Sequence, residues 1–324
     1  MALREGEARV VVPMLDLRAQ YCTIKDEIDA AVARVHERGN YVMGEEVEAF
    51  EAEWAQFCGA KHCVGVSSCT DALYLSILAM RRVLGFHIFE RIVTTPFTFF
   101  GTAQAIIQAG YSPQFTDVRE DGNIGPVTLG GKDTLIVPVH LYGRPAHVEG
   151  EGLALEDAAQ AHGLPFNPDA VAACFSFYPS KNLGAMGQAG AVVTNNAEIA
   201  SDLRELRVYG ERERFVHYSL TGNHRMDELQ AAILRAKLPH LSDWNYKRAQ
   251  VAKAYLAALS GLPGIVVPEW HPGHTWHIFA IRVPDPPARP YPGRARLAEF
   301  LQRRGIQTAV RYPLPLHLQP ALRY

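Results

Sequence analysis

Residues 174–184 read Cys174-Phe-Ser-Phe-Tyr-Pro-Ser-Lys181-Asn-Leu-Gly184, and upstream of them stands Glu156-Asp157-Ala-Ala-Gln160-Ala-His-Gly163. The first stretch is an apolar run that breaks into proline, serine and glycine around one lysine, which reads as a buried strand ending in a tight loop. A lysine after a strand is usually a solvated surface residue. Here Ser176 and Ser180 offer hydroxyls, while Gly184, Gly187 and Gly190 permit close backbone approach. An amine desolvated in such a loop has a lowered pKa and can condense with a carbonyl.

Asp157 closes a second apolar run, Leu153-Ala-Leu. A buried aspartate without a positive partner is costly. A helix N-cap is one use for it. A protonated pyridine nitrogen is another, because the carboxylate then keeps the ring an electron sink. Gln160 is either a surface residue or a donor to a ring hydroxyl. Amine and acid together point to pyridoxal 5'-phosphate (PLP).

Outward from these stretches the chain alternates apolar strand, turn and helix, the mark of a mostly parallel α/β sheet. Candidate strands are 62–66, 91–95, 112–117, 134–140, 153–157, 173–177 and 191–194. Helices are expected over 24–38, 45–57, 70–82, 101–109 and 197–208. A longer one runs from Met226 toward Trp244, broken near Pro239. Between 142 and 152 the chain is too short and glycine-rich for a crossover helix, so a loop or single turn is expected. Residues 10–17 read as an extended entry segment. After about Leu241 prolines and glycines accumulate, with a strand at 277–283 and a helix at 294–304. The division expected is a large cofactor-binding domain over 1–240, with an N-terminal arm, and a smaller α+β domain over 241–324.

Val64-Gly-Val-Ser-Ser68-Cys69-Thr70-Asp-Ala-Leu73 is a strand, a small polar turn and a helix start. Such a terminus offers unpaired N–H groups to an anion, although Ser and Thr there also serve as plain N-caps. It lacks the later glycines of G-x-G-x-x-G, which excludes a Rossmann dinucleotide site. Thr95-Pro-Phe-Thr-Phe-Phe100 sets aromatics where a strand yields to its helix. Phe97, Phe99 and Phe100 are each readable as core, with one of them expected on the cofactor ring.

The 324 residues carry Lys+Arg 32 against Asp+Glu 34, a net charge of -2, which gives no bulk attraction for nucleic acid. No run reaches membrane-span length, and the N-terminus has no signal-peptide core. The five cysteines (22, 58, 63, 69, 174) lack metal-ligand spacing and read as reduced thiols of a cytoplasmic protein, with no metal expected.

From Val12-Pro-Met-Leu-Asp-Leu-Arg-Ala-Gln-Tyr21 to His317-Leu-Gln-Pro320 the chain resembles the DegT/DnrJ/StrS sugar aminotransferases, which have the fold type I PLP architecture. Its most specific stretches are 156–163, 176–184 with 187–195, and Thr221-Gly-Asn-His-Arg225-Met-Asp-Glu-Leu-Gln-Ala-Ala232. The resemblance implies that Lys181 carries PLP as a Schiff base, Asp157 pairs with the pyridine nitrogen and Gln160 meets the ring hydroxyl. It implies phosphate contacts from Cys69, Thr70 and Ser176, and from Asn223 of a neighbouring subunit, hence a homodimer with the site at its interface. Phe100 matches the aromatic beside the ring, and Tyr312 and His317 match a Tyr-Pro-x-Pro-x-His stretch beside the sugar. The activity the resemblance implies is transfer of an amino group from an amino acid, glutamate by family resemblance, to a nucleotide-linked keto sugar.

Two alternatives share the fold: a PLP-dependent sugar dehydratase, in which histidine replaces the lysine, and a sensor or regulatory protein without turnover. Three departures from the family stand out: Cys69 where glycine is usual, the missing crossover helix after Gly143, and relatives that continue beyond the position of Tyr324 to complete the small domain.

Overall fold

The structure, a computed structural model, describes residues 12–85, 88–128, 131–284 and 293–323. Seven strands form one sheet: β1 (His62–Val66), β2 (Arg91–Thr94), β3 (Pro113–Phe115), β4 (Thr134–Val137), β5 (Leu153–Asp157), β6 (Ala172–Ser176) and β7 (Gly190–Thr194). Their order is β1-β7-β6-β5-β4-β2-β3. β7 runs antiparallel to both neighbours, and the remaining pairs are parallel.

Side chains alternate across a strand, and the two cores follow that period. Val64, Cys174 and Val192 face one layer with Leu73, Ile77 and Leu203, from α4 (Cys69–Leu84) and α6 (Ala197–Leu206). Cys63, Ala173, Phe175 and Val193 face the other with Phe50, Trp54 and Leu234, from α3 (Glu45–Cys58) and α7 (Glu228–Lys237). A sheet covered on both faces explains why its strands read as continuous apolar runs. On the first face α5 (Phe100–Gln108) packs beside α4.

The chain enters through α1 (Leu17–Thr23) and α2 (Lys25–Arg38). Glu228 opens α7 and is buried, and its carboxylate accepts from the N–H groups of Gly44 (2.8 Å), Glu46 (2.9 Å) and Val47 (3.1 Å). One acid thus caps the start of α3 from another helix. Pro239 sits in a 3-10 turn, Leu238–His240, between α7 and α8 (Leu241–Leu259), the break its missing N–H requires. The 142–152 connection holds a single 3-10 turn, Leu141–Gly143.

The strand expected at 277–283 does not form; Arg282 makes one isolated antiparallel bridge with Val266. Its polar groups go elsewhere: the Ile278 N–H donates to the Tyr142 carbonyl at 3.2 Å, and the His277 ring meets Asn182. The helix expected beside it is present as α9 (Gly293–Arg303). A small hairpin, β8 (Glu211–Glu213) with β9 (Val216–His217), was not anticipated. Of the entry segment, Val12 bridges Ile306, whereas Val10 and Val11 lie outside the described residues, as does most of the 284–292 proline run.

Candidate active site

All strands except β7 end at one edge of the sheet, and the loops after β1, β2, β5 and β6 carry the residues singled out above. Open α/β sheets bind ligands at that edge. The turn after β1 is capped by Ser68, whose Oγ accepts from the Asp71 N–H at 3.1 Å. The Asp71 carboxylate accepts from Ser67 Oγ (2.6 Å) and Ser68 Oγ (2.7 Å), and His224 Nδ1 lies 2.9 Å from it. The turn rests flat on the start of β7: a Cβ at Gly190 would lie 2.4 Å from the Ser68 carbonyl carbon and 2.7 Å from the Cys69 nitrogen. Thr70 Oγ1 approaches Gly101 of α5 as closely, at 2.7 Å from a Cβ built there.

Asp157 ends β5 and is 5% exposed. Thr102 Oγ1 donates to its Oδ2 at 2.8 Å and the Ala159 N–H to its Oδ1 at 3.1 Å. Cys69 Sγ lies 3.8 Å from Oδ1 and 3.4 Å from the Cys174 carbonyl. Burial, then the Asp157 charge, holds that thiol's pKa well up, so it remains a donor. No helix follows Asp157, which removes the N-cap alternative; its bond to Ala159 is an Asx turn.

Gln160 is buried; its Oε1 accepts from the Tyr142 N–H at 2.6 Å and its Nε2 donates to the Tyr312 hydroxyl at 3.1 Å. Ring contacts with Tyr312 come from Phe97 (6.1 Å) and Phe99 (6.5 Å); Phe99 is 61% exposed, and Phe100 opens α5. Ser176 closes β6, and its carbonyl accepts from His162 Nε2 at 2.7 Å. His162 is packed among Trp54, Phe175 and Phe177, and burial first, the Lys181 charge second, depress its pKa to about 3.

Lys181 is half-buried in the loop after β6, its N–H bonded to the Tyr178 carbonyl at 2.8 Å. Desolvation lowers its pKa; Cys69 and Asp157 oppose the shift and Arg311 adds to it. Its amine forms no hydrogen bond among the described residues. Asn182, fully buried beside it, donates to the Thr275 carbonyl and to Asn245 Oδ1, both at 2.8 Å, and its Oδ1 faces His277 Nδ1 at 3.1 Å. Asn245 Nδ2 donates in turn to the His162 carbonyl at 2.7 Å. The lysine loop is therefore fastened to α8 and to the segment near 275.

Lys181, Asp157, Cys69, Thr70, Gln160, Ser176 and Tyr312 thus surround one edge of the sheet. Two predicted residues do not join them within the chain. Asn223 is exposed and accepts from Arg225 Nε at 2.8 Å. His317 is exposed with its ring 6.4 Å from Phe115. Sequence reading assigned no role to Thr102, Asn182, Tyr142 or the His224–Asp71 pair. His162 stood inside a quoted motif without a role, and the need of a buried Asp157 for a donor was the one signal for Thr102.

These residues fit PLP. Asp157 is a buried acid whose hydrogen-bond donors are all neutral, so a pyridinium N–H supplies the missing charge. Lys181 is a desolvated amine, and the Ser68–Thr70 turn presents a helix N-terminus. Among the described residues no group of His, Cys, Asp and Glu is arranged for a metal ion.

Comparison with known proteins agrees. A relative from Streptomyces venezuelae, dTDP-3-amino-3,4,6-trideoxy-alpha-D-glucose transaminase, is 40% identical, covering 96% of this chain and 84% of its own. The erythromycin biosynthesis sensory transduction protein EryC1 of Saccharopolyspora erythraea is 41% identical, covering 96% and 87%. The crystal structure of S. venezuelae DesV with a ketimine intermediate superposes with a TM-score of 0.87 at 39% identity, covering 96% of this chain and 86% of that one. Residues 22–324 match the DegT/DnrJ/EryC1/StrS aminotransferase family, and the chain belongs to that family, with pyridoxal phosphate as its cofactor.

Proposed function

We propose that the protein is a sugar aminotransferase that moves the amino group of an amino acid, glutamate, to the keto carbon of a nucleotide-linked sugar in amino-sugar biosynthesis. The observation that carries this is the convergence, at one sheet edge, of a desolvated lysine and a buried aspartate with only neutral hydrogen-bond donors among the described residues. Bound PLP supplies an electron sink that makes a substrate Cα–H acidic. Lys181 would hold the cofactor and serve as the base for the donor's Cα proton; its lowered pKa favours the neutral amine that a base must be. Asp157 keeps the ring nitrogen protonated, with Thr102 fixing the carboxylate. Gln160 orients the ring hydroxyl, and Cys69, Thr70 and Ser176 hold the phosphate. Phe100 packs beside the ring, and Tyr312 and His317 border the sugar.

The dTDP-sugar transaminase named above supports a nucleotide-sugar acceptor. The presence of Lys181 disfavours a dehydratase, and Lys181 with Asp157 disfavours a sensor without turnover. A homodimer accounts for Asn223, which lies exposed beside the end of β1 and would reach a partner's phosphate. The division at 240, with the cofactor-binding part first, and a cytoplasmic location with reduced cysteines belong to the same proposal. Among the described residues no helix is long and apolar enough to cross a membrane.

The test is spectroscopic. Purified protein with PLP should show the visible band of lysine-bound cofactor, glutamate should bleach it, and one member of a panel of nucleotide keto sugars should restore it. A Lys181→Ala protein that still transaminates sinks the assignment.

A further inference from the structure

Two arginines beside the lysine loop have no anion. Of the two, Arg248 is half-buried and Arg311 exposed; partly buried arginines elsewhere pair with carboxylates: Arg82 with Glu205 (2.8 Å), Arg144 with Asp121 (2.9 Å) and Arg235 with Glu53 (2.8 Å). Arg248 and Arg311 form no ion pair and no side-chain hydrogen bond among the described residues, and Arg248 Nε is buried without a partner. In half-buried Arg248, an unpaired guanidinium nitrogen kept out of water is costly unless a ligand completes it; Arg311 is exposed, so its guanidinium is open to a ligand arriving from solvent.

Both approach the lysine loop, from different elements. Arg248 stands three residues after Asn245 on α8, hence on the same helix face. Asn245 on that face bonds Asn182 and the His162 carbonyl. Arg311 has its carbonyl held by the Tyr142 hydroxyl, and the next residue, Tyr312, is bonded to Gln160. His277 lies between: burial first, then Lys181, His162, Arg248 and Arg311, press its pKa down, so it adds no charge of its own. Among the described residues the carboxylate that acts on the Lys181 amine is that of Asp157, with Arg311 acting against it. Such an excess of positive charge draws anions, and a guanidinium fork matches a carboxylate or phosphate in two parallel hydrogen bonds.

We propose that Arg311, with Arg248 behind it, forms the oxyanion-binding end of the substrate cleft and takes a carboxylate of the amino donor or the diphosphate of the sugar nucleotide. The assignment rests on the aminotransferase reading above.

The experiment uses the cofactor-loaded protein as wild type, Arg311→Gln, Arg311→Lys and Arg248→Gln, titrated calorimetrically with 2-oxoglutarate and with thymidine diphosphate. Arg311→Gln should weaken one probe by about tenfold to a hundredfold, the range for a lost charged hydrogen bond. The visible cofactor band should be kept, and Arg311→Lys should recover part of the loss. A loss confined to 2-oxoglutarate assigns the site to the donor carboxylate; a loss confined to thymidine diphosphate assigns it to the nucleotide. Arg248→Gln should weaken the same probe, and if that variant fails to fold, Arg311→Gln decides alone. Both probes binding Arg311→Gln within twofold of wild type overturns the proposal while the aminotransferase reading stands. Wild type that holds no cofactor refutes that reading, and this assignment with it.

Discussion

Replacing Gly190 by alanine tests whether the Ser68–Thr70 turn is a preformed cradle. The added methyl would sit 2.4 Å from the Ser68 carbonyl carbon, 2.5 Å from its oxygen and 2.7 Å from the Cys69 nitrogen. Ordinary van der Waals contact begins near 3.4 Å, so one side must retreat by about 1 Å. β7 cannot yield, because Gly190 pairs with Val66 of β1 and Ser176 of β6 at once. The turn must move instead, at the price of overpacking, about 1–3 kcal/mol.

That movement tilts the N–H groups at the start of α4 and withdraws Cys69 from Asp157. Loss of one charged hydrogen bond to a phosphate costs about tenfold in affinity. Urea unfolding of cofactor-free protein should therefore show the destabilisation, and spectral titration with PLP the weaker binding. Gly187→Ala is the control: its methyl would meet the flexible Gln230 side chain at 3.0 Å, so it should be milder on both measures. Wild-type stability and wild-type PLP affinity in Gly190→Ala would refute the cradle.

Asn182→Ala strands the Thr275 carbonyl, Asn245 Oδ1 and the His277 ring in a buried setting, and should cost about 2–4 kcal/mol in urea unfolding; a loss below about 0.5 kcal/mol contradicts the network. His162 has a folded pKa of about 3 against 6.5 unfolded, so below pH 6.5 the unfolded chain gains a proton that the folded one refuses. Stability should fall as pH drops from 6.5 toward 3, and His162→Gln should remove about 2 kcal/mol of the loss between pH 6.5 and 4.5; equal slopes defeat this. Lys237 donates to the Gly184 carbonyl at 2.7 Å, and burial lowers its pKa from 10.5 to about 8. Between those values the unfolded state binds more protons, so stability measured relative to Lys237→Met should rise by about 2 kcal/mol from pH 8 to 10; a difference that stays flat or falls is the contrary result.

What sequence reading recovered was set by local pattern. All seven strands appear within a few residues of their expected limits, because strands buried on both faces leave apolar runs between turn residues. Lys181, Asp157 and Gln160 could be singled out as candidates because each follows such a run within a short motif. The 277–283 stretch misled for a related reason: its apolar alternation fits a strand, but the Ile278 N–H is used by Tyr142, a residue no local pattern connects to it. Thr102 and Asp157 are 55 positions apart, and Asn182 and His277 are 95 apart. A threonine or an asparagine carries no mark of a distant partner, so the residues that hold Asp157 and the Lys181 loop stayed hidden.

The hidden part includes the reason the site can be assembled. Six strands end at the ligand edge, which brings several loops together without fixing them to one another. β7 alone is reversed, so it begins where they end, and its first residue is paired with the last residues of β1 and β6. A single glycine there touches the turn after β1 and stands in register with Ser176, five positions before Lys181. Strand direction leaves no trace in composition or period, and for that reason Gly190 read only as a permissive glycine. In the folded chain the absence of its side chain sets the distance between the Ser68–Thr70 turn and the strand that carries the lysine loop.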